Sequence, residues 1–294
     1  MSARTEGRIV VDGGNYLGET PVWSTTEQAL YWINCENPPQ LHRWTPATGR
    51  FDCWDMPERI GGVALRRKGN PVVCLASGVY DFDPATGALS LRARSPFAPH
   101  VSLHESCVDR RGRLWIGGFD HSFGPDNPWP GGSAICRLEG NELIVMIPGL
   151  SIPNSLTFSP DGKILYFADT LRRIIWRADI DPDDGAIRGM REFVRLEESV
   201  AGDGAAMDEE GGYWIALFGG GEVRRYRPDG VLDRVIKVPL SQPTKVTFGG
   251  RDLTTLYVTS TQMEVPGYEQ SGPNGALLEI DVGVRGLPEP FFAG

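Results

Sequence analysis

Three polar residues recur at comparable points of a repeating sequence: Glu19 in LGETPVW, Asn154 in SIPNSLTFSPDG and Asp203 in VAGDGAAMDEEG. They precede the β-prone residues Trp32, Tyr166 and Trp214 by 13, 12 and 11 positions. Two carboxylates and an amide carbonyl brought to one spot would suit a hard divalent cation, with water completing its shell. Each residue also has a plainer reading. Glu19 is either a ligand or a solvated loop charge, Asn154 follows a proline where Asn often makes a turn, and Asp203 opens an Asp-Gly turn. A fourth residue, His104, stands 11 positions before Trp115 in VSLHESCVDRRGRLW. Of the four histidines (His42, His100, His104, His121) three fall within 22 residues, and they serve equally well as turn or surface polar groups. No HExxH zinc spacing and no GxSxG nucleophile elbow is present.

The elements that must position these residues come from a repeat. Six segments each combine a turn rich in Asp, Gly, Asn or Lys with an aromatic or aliphatic triplet: VWSTTEQALYWINC, ALRRKGNPVVCLAS, VDRRGRLWIGGF, FSPDGKILYFADT, MDEEGGYWIALFG and FGGRDLTTLYVTS. Their markers Trp32, Val73, Trp115, Tyr166, Trp214 and Tyr257 lie 41, 42, 51, 48 and 43 residues apart, a mean period of 45. A second hairpin signal follows each, as in GVYDFDPATGAL and EVRRYRPDGVL, with the Gly-containing dipeptides that tight turns require. Four strands repeated at this period define a propeller blade. We therefore expect an all-β fold, a six-bladed β-propeller with four-stranded blades and a central metal site, forming a single domain over residues 1–294. A β-sandwich would not explain a sixfold period. Residues 1–14, with the strand-like RIVVD, are expected to close the ring by adding a strand to the last blade, which would hide an open edge.

Composition narrows the function. The 294 residues carry 29 Lys and Arg against 38 Asp and Glu, a net charge of −9, and no basic stripe, which argues against nucleic acid as a partner. With 37 Gly, 23 Pro, 8 Trp and 8 Tyr, the chain favours short strands and turns over a helical bundle. Cys35, Cys53, Cys74, Cys107 and Cys136 are odd in number with no CxxC pair, so they read as reduced, half-buried fillers. The first residues show no apolar signal core and no apolar stretch is long enough to span a bilayer, so we expect a cytoplasmic protein with no membrane partner.

The quoted segments resemble the senescence marker protein/regucalcin/gluconolactonase family of six-bladed propellers. LGETPVW is similar to its Gly-Glu-x-Pro-x-Trp opening and SIPNSLTFSPDG to its Ser-Asn-Gly-Leu segment. GDGAAMDEEGGYWIALFGGGEVRRYRPDG resembles its Pro-Asp-Gly stretch and the Ala-Leu-Trp-Gly-Gly that follows, and PTKVTFGGRDLTTLYVTS is similar to its final-blade signature. The resemblance implies one divalent ion (Ca, Mn, Mg, Zn or Fe) held by Glu19, Asn154 and Asp203. It also implies hydrolysis of a small-molecule lactone, with Asp203 assisting the attack of water. A related metal-dependent esterase or phosphoesterase and a non-catalytic calcium-binding propeller are the alternatives. Where many members carry Arg-x-Asn-Asp-Gly in blade three, this chain has Ser102-Leu103-His104-Glu105-Ser106, so both sugar-holding anchors are replaced. Ser102, Glu105 and His121 are then expected to bind substrate, the loop FDHSFGPDNPWPGG with Trp129 to shape the pocket, and His104 to contact substrate or move a proton.

Overall fold

In the computed structural model, which describes residues 7–294, the chain forms six four-stranded antiparallel sheets. The first strands of the sheets are Gly18–Ser24, Ile60–Ala64, Val101–Val108, Pro153–Phe158, Ala201–Met207 and Pro243–Gly249. Each packs against the first strands of the neighbouring blades, so that the six close a ring around a channel. Burial follows from that placement. The first strands are buried along nearly their whole length, whereas outer strands such as Arg50–Asp55 and Leu232–Lys237 are largely exposed.

The hydrophobic core is divided into six clusters, one at each interface between adjacent blades. Leu103, Leu114 and Ile116 meet Val72 and Cys74 between blades two and three, and Trp214 meets Val246 and Phe248 between blades five and six. A twisted sheet buries both faces only when a neighbour covers each, and the ring meets that need six times. The expected closure is present: Arg8–Val11 pairs with Leu277–Asp281 and completes blade six. Residues 1–6 of the proposed closing segment lie outside the described residues.

The ladders revise the repeat register in two blades. Thr157 pairs with Tyr166 three residues after Asn154, and Val22 pairs with Tyr31 three residues after Glu19. The blade-one marker equivalent to Tyr166 is therefore Tyr31, not Trp32, and by the same rule the blade-two marker is Val72, not Val73. Tyr31 and Val72 face the following blade, as Tyr166 does, whereas Trp32 and Val73 face the preceding one.

The C-terminal segment was not anticipated as an element. Leu287 N–H donates to Met207 O, Phe292 N–H to Leu65 O and Ala293 N–H to Gly112 O, all near the ends of inner strands. This tail crosses the mouth opposite Glu19, Asn154 and Asp203, which stand near the strand beginnings. Among the five cysteines, all free, Cys35, Cys74 and Cys136 are buried and Cys107 is partly so. Cys53 departs from the expected filler role, since it is exposed on an outer strand. Among the described residues no helix is long and apolar enough to cross a membrane.

Candidate metal centre and cavity

All six inner strands carry a register shift at the same height, between Glu19 and Val22, Ile60 and Gly62, His104 and Ser106, Asn154 and Thr157, Gly202 and Ala205, and Pro243 and Val246. A bulge re-aims a side chain out of the alternating pattern of a strand. Three residues just past the site positions take left-handed backbone conformations that L residues adopt rarely: Thr20 (φ 44°), Glu105 (φ 54°) and Ser155 (φ 62°). Contacts to neighbouring blades hold them there. Thr20 Oγ1 donates to Gly61 O at 3.5 Å, Ser155 Oγ donates to Asp203 O, and Glu105 Oε1 accepts the Leu156 N–H at 3.0 Å. Thr244 Oγ1 of blade six reaches Gly18 O of blade one at 2.5 Å and continues the pattern around the ring.

Glu19, His104, Asn154 and Asp203 line one cavity of about 150 Å³. All four are buried. Burial, and then the Glu105 charge, push the Glu19 pKa up to about 7, against the pull of Lys245. Burial and the Glu19 charge likewise hold Asp203 well above the ordinary carboxylate range. Asp203 acts on Glu19 in the opposite sense, through a side-chain hydrogen bond that lowers the Glu19 pKa. Two buried carboxyl groups that are both held above their ordinary range form a site that gains from a cation.

The amide between them is oriented by its own network. Asn154 Nδ2 donates to Thr170 Oγ1 at 3.0 Å, and that hydroxyl spends its proton on Gly202 O at 2.8 Å. Thr170 can therefore only accept from the amide, which fixes the NH2 group toward it. Asn154 Oδ1 is left buried with no partner. A buried acceptor without a donor costs about 1–3 kcal/mol, and a carbonyl oxygen is a natural ligand for a hard cation. The residues present thus fit a divalent ion. Among the described residues no three of His, Cys, Asp and Glu gather into a metal-holding group, and the third ligand type here is an amide.

His104 stands edge-on to Phe119, with ring centroids 5.4 Å apart. Burial, and then Arg59 and Lys245, drive its pKa well below the usual imidazole value, and Nδ1 has no partner. It is a neutral base beside the carboxylates.

The remaining sequence-derived positions do not meet in the cavity. Glu105 is a correction: its carboxylate is fully buried and paired with Lys245 Nζ at 2.7 Å, so it is committed to the channel interior and does not line the cavity. Ser102 Oγ and His121 Nε2 lie 2.8 Å apart, and Arg59 Nη1 donates to Ser102 at 3.3 Å. Together they back Phe119, whose ring packs 4.6 Å from His121 and beneath Arg59. The blade-three loop reaches the cavity through Phe123, while Trp129 is 61% exposed and does not line it. Sequence reasoning missed Thr170, Arg173 and Lys245. Only Lys245 left a signal, since it follows the blade-six position equivalent to Glu19.

Residues 17–262 match the model of the SMP-30/Gluconolactonase/LRE-like region. The chain belongs to this family. It is 37% identical over 293 residues to 6-deoxy-6-sulfogluconolactonase of Pseudomonas putida, an alignment covering 98% of both chains. It is 32% identical to a pentonolactonase of Haloferax volcanii, over 95% of this chain and 96% of that one. The crystal structure of a calcium-binding protein, regucalcin, from Agrobacterium tumefaciens superposes with a TM-score of 0.89 at 28% identity, covering 99% of this chain and 98% of that one.

Proposed function

We propose that this member of the family hydrolyses a small lactone to its hydroxy acid, with one divalent cation held by Glu19, Asn154 and Asp203. The observation that carries the reading is the unpartnered Asn154 Oδ1 beside two buried carboxyl groups, both with raised pKa, in one cavity. Family membership and relatives named as lactonases support the reaction class.

When bound, the cation supplies Lewis acidity and offsets the carboxylate charges. Glu19 and Asn154 hold the site in place through their bulged strands, and Thr170 fixes the amide. A carboxylate oxygen of Asp203 takes a proton as the water oxygen bonds to the lactone carbonyl carbon. The ring C–O bond then breaks, the ring oxygen receives the proton, and the resulting carboxylic acid ionises with release of one proton to solvent. Neutral His104 contacts the substrate and passes protons at Nδ1 or Nε2. Phe119 and Phe123 shield this edge of the cavity from bulk water.

The test is acid release on a panel of sugar lactones, aliphatic lactones, aryl esters and phosphoesters, with and without chelator and with metal restored. Chelator-sensitive opening of a lactone supports the reading. Turnover confined to esters or phosphoesters would replace the substrate class, and calcium binding without any turnover would make the chain a binding propeller.

A further inference from the structure

Among the described residues, Arg173 is the only lysine or arginine lining the cavity. Its guanidinium is left without a protein partner: Nε is buried and makes no hydrogen bond, and no carboxylate lies within ion-pairing distance among the described residues. The adjacent Arg172 shows the contrast, since its Nη1 pairs with Asp169 Oδ2 at 2.6 Å and donates to Gly149 O at 3.1 Å.

The backbone places Arg173 firmly. It follows the single turn Thr170–Arg172 and takes a left-handed conformation at φ 56°. Its N–H donates to Thr170 O at 3.1 Å and its carbonyl accepts the Leu196 N–H at 2.9 Å. A non-glycine residue persists in this region when its surroundings impose it. Thr170, at the start of this turn, also fixes the Asn154 amide. One short segment therefore sets both the third oxygen ligand of the proposed centre and the free cation on the wall.

The rest of that wall is largely apolar, with Leu171, Phe218, Met263, Val265 and Tyr268. The Arg173 side chain is half-buried and has no protein acceptor, so its fork is open to a ligand from the cavity, and a planar or tetrahedral oxyanion matches its geometry. The charges lead the same way. A divalent cation balances Glu19 and Asp203, which leaves the positive charge of Arg173 uncompensated until a ligand brings its own. We propose that the substrate is a lactone bearing an anionic group (carboxylate, sulfonate or phosphate) on its side arm, and that Arg173 binds that group while the ring carbonyl faces Glu19, Asn154 and Asp203.

The proposal rests on the lactonase reading, and the experiment separates the two. Wild type, Arg173→Gln and Arg173→Lys are compared on a six-membered lactone ending in a hydroxymethyl group and on the same ring ending in carboxylate, sulfonate or phosphate. Wild type should favour at least one anionic lactone by about tenfold or more in kcat/KM, as expected for a charge-assisted contact. Arg173→Gln should bring that ratio to within about threefold, with the change in KM, and Arg173→Lys should retain part of it. A wild-type preference for the neutral ring, or equal losses on both rings in Arg173→Gln, overturns the proposal. Calorimetry with the matching cyclic ethers, which carry the same side arms but cannot be hydrolysed, reads the contact without turnover. If no lactone is opened yet the anionic ether binds through Arg173, the catalytic reading fails and the anion site stands. If the lactones are opened and the ethers show no charge preference, the reverse holds.

Discussion

Lys245 of blade six and Glu105 of blade three join opposite sides of the ring, with Nζ and Oε2 2.7 Å apart and both side chains buried. Gly204 makes room for the lysine, because a Cβ there would run into the Lys245 stem. Burial works against the ammonium, and Glu105 together with Glu19 and Cys107 outweighs it, so the Lys245 pKa is raised. Burial also raises the Glu105 pKa, against the pull of Lys245. This bridge closes the channel behind the cavity, and the Glu105 charge in turn acts on Glu19.

Removing one end of a buried pair leaves the other charge uncompensated. Lys245→Met should therefore lower unfolding stability by about 3–5 kcal/mol in denaturant titration, while Glu105→Gln with Lys245→Met should recover much of the loss. A loss below about 1 kcal/mol in the single variant would show that water reaches Glu105.

Asp203→Asn should have opposite effects in metal-free and metal-loaded protein. Without metal it removes a carboxyl group that Glu19 and burial both oppose, so the melting temperature should rise. With metal present the wild type should gain about 2.7 kcal/mol at a concentration 100-fold above Kd, whereas the variant should gain far less. Calorimetric titration with calcium or manganese reads the affinity directly. Equal affinity in the two proteins would remove Asp203 from the ligand set.

His104 is placed to contact substrate and is surplus to the three oxygen ligands. His104→Asn should lower kcat/KM on the true substrate by about a hundredfold if the imidazole moves a proton, with metal affinity little changed. It restores the residue type the family resemblance leads one to expect there, so turnover of plain sugar lactones should rise relative to wild type. Loss of metal would make His104 a fourth ligand. Wild-type behaviour would make it a loop residue.

The repeat was legible because each inner hairpin must bury the same face, which returns the same residue types at each blade. The positions of Glu19, Asn154 and Asp203 followed from it even though the marker slipped by one in blade one, where Tyr31 and Trp32 are both aromatic and pattern alone cannot choose between them. Glu105 stands where the replaced blade-three anchors suggest a substrate contact, yet its carboxylate is held by an ion pair. Its partner lies 140 residues away across the channel, and only closure of the ring brings them together. Arg173 was hidden for a similar reason, since next to Arg172 nothing in the sequence says which arginine finds a carboxylate. The C-terminal tail has no strand periodicity to read, and it is held by scattered backbone hydrogen bonds.

The last prediction concerns His42, which lies far from the proposed chemistry in sheet one. Gln40 Nε2 donates to Asp55 Oδ1 at 2.8 Å, so the Gln40 carbonyl is turned toward His42 Nε2, 3.1 Å away, and that nitrogen carries the proton. Nδ1 is buried without a partner, and the ring packs against Trp32 and Phe51 at centroid distances of 5.0 and 5.3 Å. A second proton would have to sit on Nδ1 with no acceptor, and burial lowers the pKa to about 4. The unfolded chain takes up that proton near pH 6.5 and the folded chain does not, so the folded state binds fewer protons between those values. Stability from this group is therefore complete above pH 6.5 and is lost as pH falls toward 4, by about 3 kcal/mol over the window. His42→Gln should flatten that part of the curve of unfolding free energy against pH while lowering stability at pH 7 through poorer packing. An unchanged slope between pH 6.5 and 4 in the variant would place the acid sensitivity in other groups.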